Sequence, residues 1–194
     1  RDRRRITYMY DLEEWKDQLL SDIGEKRFKH SLRVMETAIK LSEGYDLDID
    51  KVKTAAILHD CAKHNEKKYL ELYGQNVSDD QKNFGQVLHS FLGAEVASLV
   101  YNISDKEVLD AIRFHTTARE NMTVLEKVIY LADAIEPNRN YPGVEEIRQL
   151  VKNSLDEALL FSLNHNLKFI ISKQALIHPL TIDARNFLIK EKNE

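Results

Sequence analysis

Glycine and proline are scarce, with six and three copies in 194 residues. Sheet-rich chains spend both on turns. Their shortage excludes collagen-like and low-complexity classes and points to helices joined by polar loops. Cysteine occurs once, at Cys61, which excludes an internal disulfide and gives no sign of an oxidising compartment. No apolar run approaches the ~18–20 residues of a membrane span, and a secretory signal pattern is lacking. The expectation is a cytoplasmic protein without a membrane partner. Positive charge is not in excess either. Lys and Arg number 28 against 32 Asp and Glu, a net charge of −4, so no cationic field favours a nucleic-acid backbone. The one basic run, Arg1 to Arg5 around Asp2, reads as a solvated terminus.

What is present is helical spacing, segment after segment. A length of 194 residues suits one domain, with its core over about 20–190. Residues 11–23 carry Leu12, Trp15 and Leu19 on a stripe, and residues 25–43 carry Phe28, Leu32, Met35 and Ile39. Val52, Ala55, Ala56 and His59 follow i, i+3, i+4, i+7, with Asp48 or Asp50 as the cap before them. Residues 64–86 are polar, with one short helix around Tyr69–Tyr73. A further helix is expected from near Gln86. Ser104 with Glu107, Thr123 with Glu126 and Ser154 with Glu157 each have the spacing of a capping box. Pro179 suits the first turn of a last helix. No segment asks for a strand, and the fold class expected is an all-α bundle.

Seven histidines remain to be placed. His59, His89 and His115 each end an apolar stripe, and His30 lies with Val34 and Leu41 at the edge of another. A single inward histidine is ordinarily a hydrogen-bonded core residue, because one carbonyl satisfies neutral imidazole. Four from four helices are different. Buried together they cost desolvation and, once protonated, repel one another. A cation removes both problems, since neutral imidazole is a strong ligand for transition metals. Asp60 follows His59, and Asp133 faces inward four residues after Ile129. The candidate set is therefore His30, His59, Asp60, His89, His115 and Asp133. Nitrogen and carboxylate donors suit iron, manganese or zinc and disfavour copper(I). Cys61 reads as a small buried filler, and His64 and His165 as solvent-facing.

The order H…HD…H…H…D over residues 30–133 resembles the HD-domain metal-dependent phosphohydrolases, which are helical bundles. The stretches ILHDCAKH (57–64), VLHSFLGAEVA (87–97), IRFHTTAR (112–119) and LEKVIYLADAIEPNRNYPGVEEIR (125–148) resemble the YqeK family within them. The similarity runs over nearly all of residues 20–190. Members of that family cut diadenosine tetraphosphate symmetrically into two ADP and use iron. The resemblance implies a small nucleotide substrate, one or two iron ions (or manganese or another divalent metal), and the helical HD fold.

It also implies roles. The firmest ligands are His30, His59, Asp60 and Asp133. His89 and His115 either bind a second metal bridged by Asp60 or donate to phosphate. Asp60 and Asp133 are candidates for orienting water. Lys63, one turn after His59, is a candidate phosphate contact and catalytic residue. Arg27, Arg119 and Arg139 are candidate phosphate forks, and Thr116 and Thr117 offer hydroxyls. His178 and Thr181, in ALIHPLTIDARN (175–186), are candidates for holding a nucleoside. Ala118 stands where the family usually has glycine; a positive φ there would strain alanine.

Other readings are kept beside this one: another HD nucleotide phosphohydrolase (a nucleotidase or a guanosine-tetraphosphate hydrolase), or a non-catalytic nucleotide sensor. A cyclic-dinucleotide phosphodiesterase would carry Gly-Tyr-Pro where HTTARENMT stands, and a helical DNA-binding module would need a basic face. A homodimer is compatible with the sequence.

Overall fold

The computed structural model describes residues 10–193; the basic run Arg1 to Arg5 lies outside them. Among the described residues ten α-helices follow one another: α1 (Leu12–Ser42), α2 (Ile49–Leu58), α3 (Glu66–Tyr73), α4 (Asp79–Lys82), α5 (Leu88–Leu99), α6 (Lys106–Arg113), α7 (Val124–Ile135), α8 (Val144–Leu150), α9 (Leu155–Ser172) and α10 (Pro179–Asn193). Among the described residues there is no strand.

The first two expected helices are one element broken at Gly24, where φ is 74° and ψ 164°. That conformation is open to glycine at little cost and interrupts the helical ladder. The break changes the course of α1, which packs on α2 and α7. Asp22 pins the break. Its carboxylate accepts from Gln18 Nε2 at 2.8 Å, from Lys68 Nζ at 3.0 Å and from the Tyr69 hydroxyl. It thereby ties α1 to α3.

Capping follows the sequence in part. Thr123 and Glu126 form the reciprocal box that starts α7. Ser154 caps α9 by accepting from Glu157 N at 3.2 Å, and Asp48 caps α2 by accepting from Asp50 N at 2.9 Å. At α6 the cap is Asp105 rather than Ser104: its Oδ1 accepts from Glu107 N and Val108 N at 2.9 and 3.1 Å. The Glu107 carboxylate is drawn instead to Lys51. A carboxylate at the N-terminus also meets the helix dipole, which favours it over a hydroxyl.

The core is built where α1, α2, α5, α6 and α7 meet, with Leu58, Leu92, Ile112, Ile129 and Leu131 fully buried. α9 packs on α7 and carries α8 and α10. Gly93 lets α5 approach closely: a Cβ there would stand 3.3 Å from Ile112 Cγ2 and 3.5 Å from the His59 carbonyl oxygen. That approach brings the start of α5 beside the end of α2, where the charged cluster lies.

Candidate metal centre

Helix ends converge on one buried cluster. His30 comes from the second half of α1. His59 is the C-cap of α2, and Asp60 follows it in a tight turn in which Cys61 N donates to Leu58 O at 3.0 Å and Lys63 N to Asp60 O at 2.8 Å. The helix therefore ends before the doublet, and the expected continuation of one helical face to Lys63 is replaced by this turn. His89 lies in the first turn of α5, His115 just beyond α6, and Asp133 in the last turn of α7.

Asp60 is the hub. Its Oδ2 lies 3.3 Å from His59 Nε2, 3.8 Å from His30 Nε2 and 3.1 Å from Arg27 Nη1. Its Oδ1 lies 3.3 Å from His89 Nε2 and 3.5 Å from His115 Nε2. Asp133 Oδ1 stands 3.0 Å from His30 Nε2 and 3.8 Å from His59 Nε2. Three overlapping trios could each hold an ion: His30–His59–Asp60, His59–His115–Asp133 and Asp60–His89–His115.

The far side of each ring sets its tautomer. His59 Nδ1–H donates to Ala56 O and His115 Nδ1–H to Ile112 O, both at 2.7 Å. His30 Nδ1–H donates to Glu136 Oε1 at 3.1 Å. In all three the Nε2 lone pair is left facing the cluster, as metal-ligating histidines require. Of four buried side-chain polar atoms without a hydrogen-bond partner among the described residues, two are Nε2 of His30 and Nε2 of His59. Native interiors rarely leave such atoms orphaned unless an ion or water satisfies them. These residues fit a divalent cation with nitrogen and oxygen ligands. Cys61 is no part of it: its thiol donates to Gly93 O at 3.3 Å, and burial pushes its pKa up.

His89 is the exception. Its Nδ1 accepts from Lys63 Nζ at 3.1 Å, so in the neutral ring the proton sits on Nε2, toward Asp60. Burial and the neighbouring charge of Lys63 push its pKa down to about 4, against the pull of Asp60, so the ring is neutral at pH 7. The carboxylates stay ionised. Burial opposes this at Asp60, but the imidazoles around it, His59 foremost, outweigh it and hold its pKa well below the usual range. At Asp133, His30, His59 and Arg139 outweigh burial in the same direction.

The expected phosphate contacts separate into two groups. Arg27, Lys63 and Arg139 border the cluster, and Arg139 Nη2 lies 2.5 Å from Asp133 Oδ1. Thr116 exchanges a hydrogen bond with Ser90 Oγ at 2.8 Å and lines a cavity that also includes His178 and Thr181. Thr117 and Arg119 are engaged with other groups. The Thr117 hydroxyl is fully buried and donates to Ala118 O at 2.9 Å. The Arg119 guanidinium spans Glu126 and Asp110 and lies over the Phe114 ring, 4.6 Å from its centroid. Ala118 has φ 59°, the left-handed conformation that its place after the threonines suggested. His165 is not free in solvent but lies against Tyr141, with centroids 5.5 Å apart, whereas His64 is exposed.

Two supporting residues were not singled out from the sequence. Glu136 is buried and accepts from His30 Nδ1, from Arg33 Nε at 2.7 Å and from Asn138 N at 2.8 Å. Arg33 follows His30 by three residues and Glu136 follows Asp133 by three. This one-turn spacing was the available signal.

Comparison with known proteins adds to the geometry. The HD domain family model matches residues 27–138. A protein of Halalkalibacterium halodurans named symmetrical bis(5'-nucleosyl)-tetraphosphatase is 42% identical over 88% of this chain and 92% of its own length. The protein of the same name from Staphylococcus aureus is 40% identical over 91% of this chain and 94% of its own. Among solved structures, one from Clostridium acetobutylicum, described as a predicted HD superfamily hydrolase involved in NAD metabolism, matches with a TM-score of 0.88. It is 42% identical over 94% of this chain and 99% of that one. No helix among the described residues is long and apolar enough to cross a membrane.

Proposed function

Because the chain belongs to the HD-domain family and, within it, to the symmetrical bis(5'-nucleosyl)-tetraphosphatases, we propose that it hydrolyses dinucleoside polyphosphates, cutting diadenosine tetraphosphate at its centre into two ADP. The observation that carries this reading is the Asp60 carboxylate, with one oxygen turned to His30 and His59 and the other to His89 and His115.

His30, His59, Asp60 and Asp133 hold the cation, with His115 Nε2 as a further donor of an electron pair. Iron is the metal we assign, with manganese as the substitute this donor set also accepts. A bound divalent ion brings the pKa of water toward neutrality and offsets charge on phosphoryl oxygens. The chain's own residues do the rest. Asp60 and Asp133, both ionised, orient the attacking water. His89 donates from Nε2 to a phosphoryl oxygen, because the Lys63 ammonium occupies its other nitrogen. Lys63, Arg27 and Arg139 meet the remaining phosphate charge. ADP leaves readily, so no strong general acid is needed. A single cysteine, buried and unpaired with any other, supports a cytoplasmic setting.

The test is product analysis. With metal present, diadenosine tetraphosphate should give ADP alone; AMP or ATP among the first products would refute the central cut. Removing metal with a chelator should abolish turnover, and restoring iron or manganese should return it. A second prediction concerns Lys63→Ala. Activity should fall by about 10²-fold, the usual range for losing one preorganised charge at a transition state. Metal content should be unchanged, because the lysine touches no proposed lone-pair ligand. Metal lost in step with activity would make Lys63 a support for the cluster instead.

A further inference from the structure

Asp133 stands in the last turn of α7, and a helix end leaves its final carbonyl groups without intrahelical donors. α7 has no basic residue of its own in that turn. Donors reach back to it from residues further along the chain. Arg139 Nε donates to Asp133 O at 2.8 Å, and the Tyr141 hydroxyl donates to Ala134 O at 2.7 Å. Arg148 Nε donates to Ile135 O at 3.2 Å, and its Nη2 donates to Glu136 O at 3.0 Å. The same Nη2 donates to Arg139 O at 3.0 Å, while Nη1 pairs with Glu145. One side chain of α8 thus holds both the end of α7 and the main chain of the residue that grips Asp133.

The brace is itself well seated. Val144 and Ile147 are buried, and α8 packs on α7 and α9. A guanidinium suits the task because its planar fork presents donors in fixed directions, whereas an ammonium carries the charge without the fork. Its charge also meets the negative end of the α7 dipole. Glu136 has further holds on its side chain, from His30, Arg33 and Asn138 N. The Arg139 main chain is held by its own N–H on Glu136 O at 2.8 Å and by Arg148 on its carbonyl.

We infer that Arg148, which is neither in the cluster nor among the candidate site residues, is a positioning residue that acts through Arg139. It fixes the Arg139 main chain so that the guanidinium spans from Asp133 to a phosphate of the substrate. This rests on the function proposed above, in which Arg139 meets phosphate charge. Arg139 Nε and Nη2 are taken up by Asp133, so Nη1 is the arm left for phosphate. With one end of the side chain tied to Asp133, the aim of that arm depends on where the backbone holds the other end. Losing the hold on the Arg139 carbonyl weakens the phosphate contact and leaves the histidine and aspartate ligands with their partners.

The experiment is a double-mutant cycle on the metal-loaded protein, with wild type, Arg148→Lys, Arg139→Ala and the double variant. Arg148→Lys keeps the charge and loses the fork, and urea unfolding checks that each protein is folded. Each single variant should raise KM for diadenosine tetraphosphate about tenfold, the scale of one charge-assisted hydrogen bond. kcat should change little, as for a contact made equally in the ground and transition states. The double variant should be no worse than Arg139→Ala. Effects that multiply would overturn the inference, as would an unchanged KM in either single variant or metal affinity lost in Arg148→Lys. Hydrogen exchange over residues 136–143 reads the hold without substrate. It should be faster in Arg148→Lys, and unchanged exchange would also overturn the inference. If the wild type leaves diadenosine tetraphosphate intact, the proposed function fails, and titration of inorganic pyrophosphate onto the four proteins reads the same cycle. Affinity lost equally in both single variants and the double variant would uphold the role of Arg148; unchanged or multiplying losses would end it.

Discussion

Asp60→Ala should leave a folded chain that neither retains metal nor turns over substrate, with activity down by a factor on the order of 10³ or more. Loss of one key electrostatic group commonly costs about 10²–10³, and Asp60 is more than one group. Its two oxygens face four imidazoles and Arg27, so the substitution removes the negative charge from both halves of the cluster at once. Asp60→Asn is the sharper variant. It keeps the size of the side chain and loses the charge, so packing is preserved while ligation fails. Elemental analysis of the purified proteins and chromatography of ADP check both statements. Full metal content with full activity in either variant would sink the assignment of the centre.

Glu136→Ala should have the next largest effect, and it acts at one remove. Glu136 orients His30 through Nδ1 and also neutralises Arg33. Carboxylates that fix a ligand histidine typically matter by about 10–100-fold in metal affinity. Removing one partner of a buried ion pair costs about 3 kcal/mol, at the low end because Arg33 remains partly in water. Glu136→Gln separates the two effects. It retains an acceptor for His30 but no charge for Arg33, so metal affinity should recover more fully than stability. Metal titration and urea unfolding read the two independently; a variant that loses stability but no metal affinity would reduce Glu136 to a structural brace.

Much of the centre was legible in the chain itself because metal chemistry restricts residue type. Only a few side chains donate electron pairs to a cation, and His30, His59, Asp60, His89, His115 and Asp133 stand out against apolar stripes that otherwise end in leucine, valine or alanine. Periodicity placed the helices for the same reason: Val52, Ala55 and Ala56 must face a core whatever that core is. The Thr123–Glu126 box could be read as it stands because its hydrogen bonds are local. Where a distant charge competed, local reading failed. Lys51 claims Glu107, and the cap of α6 passes to Asp105.

The sequence by itself thus determined the helical class, the donor inventory and the family. Periodicity, side-chain chemistry and motif order survive without coordinates. Tertiary structure alone decided how the donors are used. Ring tautomers depend on what lies behind each histidine: a carbonyl behind His59 and His115, Glu136 behind His30, and Lys63 behind His89. It also turned Thr117 and Arg119 away to other partners and set an aromatic cavity beside Thr116. The physical reason is range. Propensity and capping act over a few residues, whereas desolvation and hydrogen-bond pairing are settled by whichever groups the packed helices bring together.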